Sequence, residues 1–224
     1  MSEKKTPEEF SEEIRNLIEA NRSEYQKSLQ KAYENMLRAI PSHLVRVFGN
    51  GYIQKFSEKE VIARKHIERI IPSIFSGEKG LIISGSVGVG KTMAMIYIYK
   101  RLLEMKAKKA LESEDMFLLD IYRMKQDFAF YYVPEIFTAF HMGQKVSLRK
   151  YIFLDDFGTE YSEPFALSNF DAWIEKIYRR GFYGIVMTTN LSHHDFLNRQ
   201  GFIRISDRLN QMCAFLEVKG ASRR

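Results

Sequence analysis

The sequence predicts an α/β protein in which a parallel sheet surrounds a phosphate-binding loop, preceded by a small α-helical segment. Three observations lead there. Residues 81–92, LIISGSVGVGKT, set an apolar strand, Leu81 to Ser84, directly before G-x-x-x-x-G-K-T, and a helix-like run from Met93 to Lys106 follows. Two further apolar runs, YIFLDD at 151–156 and GIVMTTN at 184–190, end in polar residues, as strands buried on both faces do when a site lies at their carboxyl ends. Helix-period segments separate these strands, the alternation that crossover helices give to a parallel sheet.

Composition bounds the reading. A chain of 224 residues holds one substantial core and an appendage, and 45% hydrophobic with 28% charged residues is ordinary for a globular protein. No apolar run approaches the roughly 18 residues of a membrane span, and MSEKKTPEE lacks an apolar signal core, so a cytoplasmic location is expected. The single cysteine, Cys213, excludes an internal disulfide and a cysteine-cluster metal site, and reads as a small core residue. The net charge of +6 sits outside the first 40 residues, which hold 7 Lys+Arg against 8 Glu. A basic remainder is compatible with nucleic-acid contact.

In chain order, Thr6, Pro7 and Glu9 resemble a capped helix start, and Ser23 with its following residues repeats a capping-box pattern. With Pro41 as a stop, this predicts two helices, about 7–21 and 24–40, forming a hairpin with one apolar stripe each. Ser57 and Glu60 predict a helix ending before Pro72, and 76–80 a loop into the first strand. Residues 107–126 read as irregular. FAFYYV at 128–133 predicts a strand, and a short helix from Pro134 ends at Gly143. A helix over 163–180 stops at Gly181, with Trp173 as a packing residue. Ser192 caps a short helix, Arg204 and Arg208 share one face of the next, and Ala214 to Val218 closes the sheet.

The chemistry follows from residue type. A loop wrapping a phosphate must turn tightly and offer backbone N–H groups, which glycine permits, so Gly85, Ser86, Val87, Gly88, Val89, Gly90, Lys91 and Thr92 form the expected cradle. Lys91 would reach the β- and γ-phosphates of ATP, and Thr92 with Asp155 would hold Mg²⁺. Asp156 would orient or deprotonate the attacking water. Thr188, Thr189 and Asn190 end a buried strand within reach of a γ-phosphate or that water.

The four blocks GSVGVGKT (85–92), FLDDFG (153–158), TTN (188–190) and RISDRL (204–209) together resemble the AAA+ ATPases of the helicase-loader branch, the DnaC and DnaI proteins, and the closely similar IstB transposition ATPases. The similarity covers roughly residues 41–224, including the short last strand and the G-x-S-R-R ending. It implies an AAA+ core at 41–224 without a C-terminal helical lid, behind a segment at 1–40 that docks a replicative DNA helicase. It also implies single-stranded DNA as ligand and nucleotide-dependent self-association. Asn190 takes the sensor position, and Arg208, with Arg204 as the nearby alternative, the arginine finger for a neighbouring subunit's site. Relative to the family the connection 143–150 is short and 107–126 carries extra length. The ranked readings are an ATP-hydrolysing helicase loader, an IstB-like transposition helper, and, from other classes, a P-loop kinase of a small molecule or a nucleotide-gated adaptor.

Overall fold

The computed structural model describes residues 7–159, 163–181 and 183–220; the side chains of residues 7–11, 13 and 14 are outside that description. The Thr6 cap, the side chains of Glu9, Phe10 and Ile14, and the terminal SRR therefore lie outside the described residues.

The chain runs α1 (Pro7–Phe48), α2 (Asn50–Gln54), α3 (Arg64–Ser76), β1 (Gly80–Gly85), α4 (Lys91–Glu112), α5 (Ile121–Met124), β2 (Phe128–Tyr132) and α6 (Val133–His141). It continues through β3 (Tyr151–Phe157), α7 (Pro164–Arg180), β4 (Gly184–Thr189), α8 (His193–Asn198), α9 (Ile203–Met212) and β5 (Cys213–Val218). The five strands form one sheet in the order β2-β3-β4-β1-β5, every pairing parallel. This is the predicted parallel-sheet P-loop core.

Strand alternation divides the core in two. Leu81 and Ile83 of β1 and Tyr151 and Phe153 of β3 pack with α1, α3 and α4, while Ile82, Ile152 and Leu154 pack with α6, α7 and α9. Phe157 should by period two join Phe153, yet it lies in the second layer. The cause is a register irregularity between Leu154 and Phe157, with Asp156 at φ 60°. One extra residue in the strand flips everything beyond it to the other face.

Three sequence expectations are corrected. The predicted pair of helices over 7–21 and 24–40 is a single helix of 42 residues that passes through Pro41. Leu29, Met36, Ile40, Leu44 and Phe48 form one buried stripe along it and join the layer above α4, so no hairpin is needed to cover them. A proline inside a helix removes one hydrogen bond; Pro41 is exposed, so water can reach the carbonyl left without a donor. The boundary drawn between 40 and 41 therefore falls inside α1. Ser57 caps no α-helix: residues 58–60 make a single 3-10 turn, α3 begins at Arg64, and it runs through Pro72, which is also exposed. The helix after the phosphate loop extends to Glu112, so the irregular stretch is shorter than expected and contains two 3-10 turns and α5.

Other local readings stand. Gly143 and Gly181 end α6 and α7 at φ 68° and 61°, and the Ser192 hydroxyl accepts from the Asp195 amide to cap α8. Trp173 is a packing residue, stacked on Phe170 at 5.8 Å with its indole N–H donated to the Val146 carbonyl. Cys213 is buried, and burial pushes its thiol up to about 12.

If α1 belongs to the core from Leu29 onward, Ile40→Ala should lower the unfolding free energy in urea by about 2–5 kcal/mol. Leu17→Ala, at a position 57% exposed, should stay within about 0.5 kcal/mol of the parent. Equal effects at the two positions would contradict the packing.

Candidate nucleotide site

The site is assembled at the carboxyl ends of β1, β3 and β4. β1 ends at Gly85, where a Cβ would stand 2.6 Å from the Val218 carbonyl oxygen of β5, so only glycine lets the two strands close. The loop then turns through Gly88 and Gly90, at φ 83° and 104°, left-handed conformations that side chains other than glycine's adopt with strain. Gly90 leads into α4, which begins at Lys91, and no side chain caps this end. The first amide groups of a 22-residue helix therefore face the loop, a ready anion site.

Lys91 is 6% exposed. Its Nζ donates to the carbonyls of Gly85 at 2.7 Å and Ser86 at 3.0 Å and to Asn190 Oδ1 at 2.6 Å. The loop lysine and the residue one step beyond β4 are thus in contact across 99 positions of sequence. Thr92 Oγ1 lies 3.3–3.4 Å from both carboxylate oxygens of Asp155. A hydroxyl and a carboxylate presented together from α4 and β3 are hard oxygen donors of the kind Mg²⁺ selects, so these two residues fit the ion.

Asp155 is 7% exposed, and burial pushes its carboxyl above the ordinary value, aided by the neighbouring Asp156 charge and opposed by Thr188, Thr92 and Lys91. The Thr188 hydroxyl donates to Asp155 Oδ1 and accepts from the Asp156 amide at 2.9 Å. Thr189 donates to the Phe157 carbonyl at 2.7 Å. The two threonines expected near a γ-phosphate are instead the braces that fix the irregular end of β3 against β4. A left-handed, non-glycine Asp156 costs about 1–3 kcal/mol, and such strain gathers where function sets the geometry.

Arg204 and Arg208 are not gathered with these groups. Both reach from α9 to Asp171 and Glu175 of α7. Arg208, its side chain 14% exposed, bonds Asp171 at 3.1 Å and contacts Glu175; Arg204, 63% exposed, stands 3.5 Å from each. Two carboxylates at i and i+4 face two arginines at i and i+4. Sequence reading missed Asp171 and Glu175, because their spacing gains meaning only once α7 and α9 are known to touch.

A glycine-cradled anion site at the head of a helix, with a lysine, a threonine–aspartate pair and an asparagine at the ends of three parallel strands, defines the class of P-loop nucleotide-binding proteins. No family model matches the sequence. No curated protein matches it either. Among solved structures it is similar to DnaI, with a TM-score of 0.50 and 20% identity over 70% of this chain and 83% of that one. Looser superpositions are found with the DnaC helicase loader (TM-score 0.46, 20% identity, 70% and 88% covered) and AMPPCP-bound DnaA from Aquifex aeolicus (0.48, 14%, 72% and 47%). The chain thus has a fold of the DnaI type.

Because burial raises the Asp155 pKa, the folded chain holds a proton that the unfolded chain releases, and stability falls as pH rises from about 3.8 through the folded value. Above that window the charge is a standing cost. Asp155→Asn, which keeps an acceptor for Thr188, should therefore raise the thermal midpoint at pH 7; a lowered midpoint would mean the charge is structural. A second contrast concerns α9. Arg208→Ala should lower the midpoint more than Arg204→Ala, since the exposed arginine is screened and the enclosed one is not.

Proposed function

We propose that this chain is an ATP-dependent loader of a replicative DNA helicase, acting in the cytoplasm during DNA replication and hydrolysing ATP at sites completed by a second copy. The observation that carries the reading is the joining of Lys91 to Asn190 and of Thr92 to Asp155 within a DnaI-type fold. The phosphate loop binds the triphosphate and Lys91 neutralises its β- and γ-oxygens. Thr92 and Asp155 would hold Mg²⁺, which would supply positive charge against the charge that develops in the transition state. Asp156 orients the attacking water and accepts its proton, and Asn190 reports the γ-phosphate to Lys91 and β4.

In this reading the finger is an arginine of α9 entering the neighbour's site. Arg208 must leave Asp171 and Glu175 to serve, whereas Arg204 is already exposed. The carboxylate pair then competes with the neighbour's phosphate for the same cations. A finger supplied in trans is worth about 10³ to 10⁵ in rate, so dilute protein should hydrolyse ATP slowly.

Helicase docking falls to the first part of α1. Leu17 and Ile18 are 57% and 62% exposed on a helix whose later turns are buried, which leaves apolar surface for a partner. Removing residues 1–40 would strip Leu29, Met36 and Ile40 from the core, so the informative truncation removes 1–24 only.

Two measurements test the reading. Lys91→Ala and the double variant Arg204→Ala/Arg208→Ala should each lose ATPase activity, and mixing them should restore part of it, because one supplies the finger and the other the loop. No recovery on mixing would place the site within one chain. A replicative helicase should be retained by the full chain and lost on removal of 1–24; phosphate transfer to a small molecule instead of water would favour a kinase.

A further inference from the structure

The far end of the sheet carries a second set of groups that the ATP chemistry does not use. Phe128 opens β2 and pairs with Tyr151 at the start of β3, so this region lies at the amino ends of the strands, away from Lys91 and Asp155. There an open cavity of about 430 Å³, in the size range of small-ligand sites, is walled by Tyr99, Phe128 and Phe130 and carries His43, Lys125 and Arg149. Among the described residues no carboxylate lines it. Burial and the neighbouring Lys125 and Arg46 charges lower the His43 pKa, and its ring is tied to the Tyr99 hydroxyl at 2.9 Å.

The cavity continues onto the segment that the sequence marks as extra length. Lys125 Nζ sits 4.5 Å over the Tyr122 ring, and the Arg123 guanidinium 3.7 Å over the Phe117 ring. Phe117 and Tyr122 are 67% and 55% exposed. Among the described residues neither Arg123, Lys125 nor Arg149 has a carboxylate partner. The nearby acids bond elsewhere: Asp115 and Asp120 accept backbone amides of 117, 118 and 122, the Glu114 carboxylate accepts from Gln26, and Asp127 pairs with Lys106. Three cations therefore stand beside flat rings with no ion-pair partner among the described residues, along a path from the cavity to Phe117.

We propose that this face binds single-stranded nucleic acid, with one nucleotide in the cavity between the aromatic wall and Lys125 and Arg149, and neighbouring bases on Tyr122 and Phe117. It goes beyond the loader reading proposed above, which assigns no residue to nucleic acid, and rests on this face alone. Stacked rings next to unpaired cations match a polymer that alternates flat bases with phosphates. An acidic peptide would satisfy the cations and leave the rings without a use, and a free nucleotide would use the cavity without reaching Phe117.

The test is fluorescence anisotropy with a labelled oligothymidylate of about 12 nucleotides, within the span that single-strand sites cover. Lys125→Glu/Arg149→Glu should weaken binding at least ten-fold and flatten the dependence of affinity on salt by about one to two log units per log unit. Phe117→Ala/Tyr122→Ala, which changes no charge, should weaken it roughly ten-fold. All four positions lie at or near the surface, and far-UV circular dichroism with ATP affinity would verify that each variant is folded. Unchanged oligonucleotide affinity in both double variants would overturn the site. So would poly-glutamate competing as well as the oligonucleotide with no loss in the Phe117/Tyr122 variant, which would reveal an acidic-protein surface, or thymidine monophosphate binding as tightly as the oligomer. ATP turnover read in parallel separates the two proposals: turnover without oligonucleotide binding removes this one alone, and binding without turnover removes the other.

Discussion

Because β1, β4 and β3 pair in parallel, with Ser84 opposite Thr189 and Leu154 opposite Met187, three strands deliver their last residues to one edge of the sheet. Gly85 starts the phosphate loop there, Asn190 follows β4 within reach of Lys91, and Asp155 stands beside Thr92. A slip of one residue in any strand would turn its terminal polar group to the opposite face. What fixes the register is apolar: both faces of each of the three strands are buried, so each alternate register would expose one set of residues and misplace the other.

The end of β3 is where this rule is bent. Asp155 faces α4 and Thr92; the next residue adopts a left-handed backbone, and Phe157 then joins the opposite layer. Thr188 and Thr189 hold the distortion by bonding Asp155, the Asp156 amide and the Phe157 carbonyl. The arrangement sets two adjacent carboxylates in different environments, one enclosed and shifted, the other on a strained turn. Stability is given up at the point where a cation and a water would be handled.

The opposite end of the sheet and the outer helices carry the features that concern partners. α1 is continuous because its buried stripe from Leu29 to Phe48 lies along α4, and this anchors a helix whose first turns retain exposed apolar residues. The ion pairs between α7 and α9 give Arg204 and Arg208 an internal alternative to any external phosphate. The aromatic and cationic face around Tyr99, Phe128 and Tyr122 shares no residue with the phosphate loop, so the two sites are separable by mutation.

The glycine-rich loop, the paired aspartates, the order of strands along the chain and the ends of α6 and α7 were legible in the sequence, because each rests on local chemistry: glycine at positive φ, apolar runs of strand length, carboxylates ending a buried run. Pro41 and Pro72 misled for the same reason. Local propensity marks a proline as a stop, but an exposed proline costs one hydrogen bond against a stripe of buried side chains, and the stripe prevails. The sequence likewise could not show that Thr188 braces Asp155, that Asp171 and Glu175 hold Arg208, or that His43, Lys125 and Arg149 share one cavity. These are meetings between residues 24 to 106 positions apart. By itself the sequence determined the local pattern, a glycine-rich loop ending in Lys91 and Thr92 and a strand ending in two aspartates; only the packing of helices on the sheet decided what each of those groups touches, because register and helix contacts are set by the whole core and not by any segment of it.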